Sequence, residues 1–226
     1  MENTTGMVIS GRVNTPAIFN NNAKSVVVRQ NTDVSGGEGY VEHIGLDDVI
    51  RVREAAAQGQ NVERDSLLIG LLFDSCLRIS ELLELTPKRI DRFANRIKAK
   101  NLKRPKGKSE TSWVGISESI KNELIAYIWS KRIPDNERVF PFSRFRAHQI
   151  LSQAMADAGI TQPEHTGRVH IMRHSGAIAL LERTGNIQMV RGQLRHSQIR
   201  QSMNYLKTYA RDEAVRAKGN IDMWRQ

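Results

Sequence analysis

A dense apolar segment, LLIGLLF at 67–73, sets the first limit on how this chain folds. It lies within 63–76, and its apolar density predicts a helix buried in the centre of a core. Apolar residues recur with helical spacing over 46–58, 117–132 and 144–158, and again from 169 onward, which predicts further helices. A chain of 226 residues is long enough to build one large domain with its own core.

One short region departs from the helical pattern. Residues 93–102 (FANRIKAKNL) and 111–116 (TSWVGI) alternate between apolar and polar side chains, and KRPKGKSE at 103–110 supplies Pro and Gly between them. This pattern predicts a β-hairpin with a basic tip. We therefore expect an α+β fold that is mainly α-helical, with a small antiparallel β-sheet or hairpin.

The N-terminal residues differ in composition from the rest. Residues 1–45 are rich in Asn, Thr, Gly and Ser, with a breaker cluster at 35–37 and one apolar stretch at 23–29. We predict an irregular N-terminal arm over 1–45 with one short strand, a main domain over 46–210, and a C-terminal tail over 211–226.

The charge of the chain indicates a polyanionic partner. Lys and Arg outnumber Asp and Glu by 34 to 24, and the excess lies in two segments, 88–108 with net +9 and 165–226 with net +7. Such segments are typical of nucleic-acid contacts, although single charge runs are usually solvated faces. One cysteine excludes a disulfide framework, and no apolar run approaches 18 residues, so we expect an intracellular protein without a membrane partner.

Four segments carry candidate chemistry: CLRISELLEL at 76–85, NLKRPK at 101–106, HIMRH at 170–174 and LRHSQIRQSMNY at 194–205. In this order and spacing they resemble the catalytic domain of the tyrosine recombinases, the phage integrase family. The intervals are 25 residues from Arg78 to Lys103, 23 from Arg173 to His196, and 9 from His196 to Tyr205. The resemblance covers about residues 46–210 and implies the fold of that domain.

The resemblance implies a site-specific DNA recombinase or integrase. The implied catalytic residues are Arg78, Lys103, His170, Arg173, His196 and Tyr205. Tyr205 would attack a phosphodiester of double-stranded DNA and form a covalent 3′-phosphotyrosine, which stores the bond energy for rejoining. The reaction would need no cofactor and no metal. We expect a homo-oligomer, a dimer or tetramer, on DNA in the cytoplasm, associated with the nucleoid.

Each residue type fits a step of this chemistry. Guanidinium groups bind the non-bridging phosphate oxygens in a bidentate way, which assigns that role to Arg78 and Arg173. His170 is assigned as the general base and His196 as a donor to the phosphate. Lys103 would protonate the leaving 5′ oxygen.

Several alternatives stay open. Lys106 competes with Lys103 as general acid, and Tyr209, one turn after Tyr205, competes as nucleophile. His174 is given no role. Arg195 stands where the family usually has Gly, and we expect it either to contact DNA or to alter the start of the next helix. A type IB topoisomerase or a catalytically silent DNA-binding regulator would share the same motifs.

Overall fold

The computed structural model describes residues 39–100, 111–161 and 166–220. In these ranges the chain forms eight α-helices: α1 (Leu46–Ala56), α2 (Val62–Ser75), α3 (Ile79–Leu82), α4 (Glu118–Ser130), α5 (Arg144–Asp157), α6 (Arg168–Thr184), α7 (Ile187–Leu194) and α8 (Arg200–Gly219). Three strands complete them: β1 (Ile90–Asp91), β2 (Arg96–Lys100) and β3 (Thr111–Gly115). The predicted α+β, mainly helical fold is confirmed.

The three strands form one antiparallel sheet in the order β1-β2-β3. Ile97 lies opposite Val114, and Lys98 lies opposite Trp113. Because successive side chains of a strand point to opposite faces, Ile97 and Ala99 face the core while Lys98 faces solvent. The predicted hairpin is therefore present, with its tip, 101–110, outside the described residues.

Helix α6 runs through the middle of the molecule. Its first half, including Ile171 and Met172, belongs to the large core that α1, α2, α4, α5 and the sheet build. Its second half, including Ile178 and Leu181, belongs to a smaller core that it shares with α7 and α8. Polar residues near the middle of α6 consequently lie where the two cores meet.

The last residues of the predicted N-terminal arm pack against the domain. Residues 40–45 contain no helix or strand. The Val41 N–H donates to Thr208 Oγ1 in α8 at 2.9 Å, and the Ile44 N–H donates to Ser175 Oγ in α6 at 2.9 Å. This segment thus links α6 to α8. The strand predicted at 23–29 lies outside the described residues.

No helix within the described ranges has both the length and the apolar character needed to cross a bilayer.

Candidate active site

Arg78 lies at a sharp turn between two helices. Helix α2 ends at Ser75, and Cys76 then takes a left-handed conformation with φ 51°. Arg78 is extended and caps the N-terminus of α3, where its own N–H donates to Glu81 Oε2 at 3.0 Å and its Nη1 donates to Glu81 Oε1 at 3.2 Å. The Glu81 side chain is only 1% exposed, against 26% for Arg78. A buried carboxylate therefore holds Arg78 while part of the guanidinium faces solvent.

Arg173 joins three elements of the site. This residue of α6 is buried, and its guanidinium donates to the carbonyl of Cys76 and, at 3.1 Å, to the carbonyl of Leu194. These carbonyls precede Arg78 and His196 by two residues each. Burial, and then the charge of Arg78, lowers the pKa of Arg173 to about 10, so the group stays charged at neutral pH.

A glycine permits this arrangement. Gly176 lies where α6 meets the end of α2, and a Cβ there would be 1.9 Å from the Phe73 carbonyl oxygen. The two backbones approach closely enough for Arg173 to reach the Cys76 carbonyl only because position 176 has no side chain.

Tyr205 is buried in the smaller core, and its hydroxyl faces α6. The distance from Tyr205 Oη to His174 Nδ1 is 2.7 Å. Burial raises the pKa of Tyr205 to about 12, although the charge of Arg173 opposes this. The sequence motifs assigned no role to His174, but in the structure residue 174 of α6 faces α8 and its ring contacts the candidate nucleophile. The signal available in the sequence was its spacing, four residues after His170 and next to Arg173.

His170 and His196 complete the ring cluster. The His170 ring lies one turn before His174, with centroids 6.3 Å apart. The His196 ring lies 6.3 Å from the Tyr205 ring, and its Nδ1 is 2.9 Å from Ser202 Oγ. Burial, followed by the charges of Arg173 and Arg78, lowers the pKa of His196 to about 4, so this ring is neutral at pH 7. Either atom can donate in this contact, and when the Ser202 hydroxyl donates to Nδ1, the neutral ring carries its proton on Nε2.

Arg195 turns inward. It ends α7 in a left-handed conformation with φ 57°, which glycine adopts without strain and other residues rarely adopt. Its guanidinium donates to Glu81, and its side chain is 10% exposed. Of the two alternatives for Arg195, these contacts favour an effect on the local backbone, since the carboxylate that holds Arg78 also holds Arg195.

The Gln193 side chain links the sheet to the site through hydrogen bonds. Its Nε2 donates to the Gly115 carbonyl at 2.7 Å and to the Ser75 carbonyl at 3.1 Å, while its Oε1 accepts from the Gly115 N–H at 3.3 Å. This side chain joins the end of β3 to the end of α2. No local pattern in the sequence indicates this role, because the contacts span 78 and 118 residues.

The remaining candidates are less tightly defined. Lys103 and Lys106 lie outside the described residues, between the ends of β2 and β3. Tyr209 is half-buried and packs against the smaller core, one turn beyond Tyr205. Burial raises the pKa of the Cys76 thiol to about 12, so this cysteine is unsuited to act as a nucleophile. Among the residues that the structure describes, no group of three or more His, Cys, Asp and Glu could hold a metal ion.

Comparison with known proteins agrees with this geometry. A sequence profile of the phage integrase family matches residues 44–211. The tyrosine recombinase XerA of Saccharolobus solfataricus is 30% identical over 142 residues, which cover 63% of this chain and 45% of XerA. The type 1 fimbriae regulatory protein FimE of Escherichia coli K12 is 25% identical over 169 residues, covering 72% of this chain and 84% of FimE.

A solved structure supports the same fold. The XerH site-specific recombinase, in a post-cleavage complex with palindromic difH substrate, superposes with a TM-score of 0.67. The match covers 94% of this chain and 60% of XerH at 16% identity. The chain thus spans less than half of XerA and about three-fifths of XerH, but most of FimE. Its described helices and sheet have the fold of a tyrosine recombinase catalytic domain, and the chain belongs to the phage integrase family.

Proposed function

We propose that the protein cleaves and rejoins double-stranded DNA at specific sites through a covalent 3′-phosphotyrosine on Tyr205. The observation that carries this proposal is a buried tyrosine hydroxyl 2.7 Å from a histidine, in a cluster built around the charged Arg173. A buried structural tyrosine also needs a hydrogen-bond partner for its hydroxyl, but it has no need of a charged guanidinium beside it. A tyrosine that attacks a phosphodiester needs a proton acceptor and positive charge close by.

The two arginines stabilise the charge that develops on the phosphate. The Arg173 guanidinium has five N–H groups, of which two donate to the carbonyls of Cys76 and Leu194, so others remain for a phosphate. The Arg78 side chain is 26% exposed. Preorganised donors of this type contribute about 10²–10³ each to the rate. The neutral His196 can add one hydrogen-bond donor to the phosphate, while the two arginines supply the positive charge that opposes that of the phosphate.

The proposed reaction replaces one phosphoester bond by another and therefore needs no co-substrate. The Tyr205 hydroxyl gives its proton to a histidine of the cluster, its oxygen bonds to phosphorus, and the bond from phosphorus to the 5′ oxygen breaks. The leaving oxygen takes a proton, for which we propose Lys103 as donor with Lys106 as the alternative. Attack by a 5′ hydroxyl on the phosphotyrosine reverses the sequence and rejoins the strand. The protein therefore needs neither ATP nor another cofactor.

DNA as the partner is supported by charge and by a structural relative. The basic segment 88–108 lies within this domain and the segment 165–226 overlaps it, and XerH was solved on its DNA substrate. The described residues 213–220 at the end of α8 are all exposed, and they include Ala214, Val215 and Ala217. This exposure supports a dimer or tetramer on DNA in which the tail packs on a neighbouring subunit. A protein acting in this way would be associated with the nucleoid in the cytoplasm.

Covalent trapping tests the proposal. A duplex from the ends of the protein's own element, nicked close to the cleavage site, releases a short fragment after cleavage and traps the adduct. We expect a protein–DNA adduct on a denaturing gel, its loss in Tyr205→Phe, and its retention in Tyr209→Phe. DNA binding by Tyr205→Phe should be nearly unchanged, because the substitution removes no charge.

Two results would overturn the proposal. Binding without any adduct would identify a silent regulator. Relaxation of supercoiled plasmid without strand exchange between two sites would identify a topoisomerase-like activity.

A further inference from the structure

We infer that His174 is the general base that takes the proton from Tyr205 during DNA cleavage. The inference rests on the proposed function and deepens it. It moves the role of base from His170, where the motif placed it, to a neighbouring residue.

The geometry singles out His174. Its Nδ1 is 2.7 Å from Tyr205 Oη, within the range of a hydrogen bond from a hydroxyl to nitrogen, and the ring centroids are 5.7 Å apart. The contact joins residues 31 positions apart, across the packed faces of α6 and α8. A base must lie within hydrogen-bond reach of the proton that it removes, and His174 satisfies this requirement.

The other two histidines differ from His174 in position. His170 is exposed and lies one turn earlier on α6, with its ring centroid 6.3 Å from that of the partly buried His174. The His196 ring lies near Tyr205, but its Nδ1 is engaged by the hydroxyl of the buried Ser202 at 2.9 Å. A Ser202 hydroxyl that donates to Nδ1 leaves the His196 proton on Nε2, from which His196 can donate to the phosphate.

Electrostatics keep His174 ready to accept a proton. Burial lowers the pKa of His174 to about 4, and nearby positive charge acts in the same direction, so the ring is neutral at pH 7. The groups that face it are His170 and Arg173 from α6, His43 and Glu42 from the segment before α1, and Tyr205 from α8. Among these, Glu42 opposes the shift.

Substrate binding favours the transfer. A phosphate held by Arg78 and Arg173 brings negative charge to the cluster, which stabilises the protonated form of His174. As the Tyr205 oxygen bonds to phosphorus, its proton passes to His174 Nδ1 and the bond to the 5′ oxygen breaks. In rejoining, the 5′ hydroxyl attacks, the Tyr205 oxygen leaves, and His174 returns the proton.

The decisive comparison uses His174→Ala, His174→Asn and His170→Ala, with the nicked DNA described above. We expect His174→Ala to lower the rate of adduct formation at pH 7.5 by about 10²–10⁴-fold, the usual contribution of a general base. DNA binding should persist. Hydroxide must then replace the lost base, so the rate should rise about tenfold per pH unit between pH 7 and 9. Added imidazole should restore part of the rate.

His174→Asn separates a base from a residue that only orients the hydroxyl. Its side-chain oxygen accepts a hydrogen bond but does not take up a proton in this pH range. We expect His174→Asn to be as slow as His174→Ala and to show the same dependence on hydroxide. His170→Ala should lack that dependence. A thermal unfolding curve for each variant shows that the protein is folded.

Three outcomes would overturn the inference. The first is near-normal cleavage by His174→Asn, which would make His174 an orienting residue. The second is an unchanged pH profile in both His174 variants. The third is hydroxide dependence and imidazole rescue in His170→Ala instead. Failure of the proposed function is distinguished from these, because it would appear as adduct formation by Tyr205→Phe or as no adduct with the unmodified protein.

Discussion

Substitution of Gly176 by Ala tests how closely α6 must approach α2 for catalysis. The added Cβ would lie 1.9 Å from the Phe73 carbonyl oxygen and 2.9 Å from Cys76 Sγ, whereas real Cβ contacts are essentially never under 3.0 Å. The Phe73 contact involves backbone, which has no flexible end to turn away. The two helices must therefore separate by about 1 Å, a displacement that can cost about a hundredfold in catalytic rate.

The separation acts on the site through Arg173. That residue lies three positions before Gly176 and donates to the Cys76 carbonyl. We expect Gly176→Ala to lower adduct formation by about a hundredfold. Overpacking typically lowers the stability of a folded protein by about 1–3 kcal/mol, and the higher helix propensity of Ala offsets up to about 1 kcal/mol of this loss. Because the clash is with backbone, the upper end of that cost applies, and the free energy of unfolding should fall by about 2 kcal/mol.

Gly192→Ala is the matched control. Gly192 also lies inside a helix, α7, but a Cβ there would meet nothing within 4 Å. This variant should be as stable as the original protein or gain up to about 1 kcal/mol, with a normal rate. Urea unfolding gives the stability, and adduct formation per folded molecule gives the rate. Equal stability and equal rate for Gly176→Ala and Gly192→Ala would refute the reasoning.

Three other predictions address separate features. Gln193→Leu leaves the carbonyls of Ser75 and Gly115 without this donor, so the free energy of unfolding in urea should fall by about 1–3 kcal/mol. The control Gln198→Leu changes an exposed side chain and should cost less than about 0.5 kcal/mol. Equal losses in the two variants would contradict this prediction. Adduct formation should proceed in EDTA without nucleotide, and strict Mg²⁺ dependence of cleavage would point to a nuclease-type site. Deletion of 218–226 should abolish multi-subunit DNA complexes in gel-shift assays while single-subunit binding persists; unfolding of the monomer would instead show that the tail belongs to its own domain.

The sequence determined the secondary structure well because its signals are local. The apolar run at 67–73 became the buried helix α2, and Ser117 caps α4 by accepting from the Ile120 N–H. The alternation around 96–100 and 111–115 became the hairpin. Each of these patterns depends on neighbours a few residues away, so periodicity alone reports them.

The sequence also identified most of the cluster through motif order and spacing. Arg78, Arg173, His196 and Tyr205 come from four different elements, yet the structure brings them around one buried hydroxyl. Spacing cannot say which side chain of a motif meets which partner. From the sequence alone, either His170 or His174 could contact the Tyr205 hydroxyl, because the two residues lie one helical turn apart.

Only the tertiary structure decided between such neighbours. His174 meets Tyr205 because α6 packs on α8 at that turn, a crossing set by the small core of Ile178, Leu181 and Val190. Arg195 points to Glu81 because the left-handed end of α7 directs it inward toward a buried carboxylate 114 residues away in sequence. Contacts over such separations arise from how helices pack, and packing depends on the whole core rather than on any local pattern.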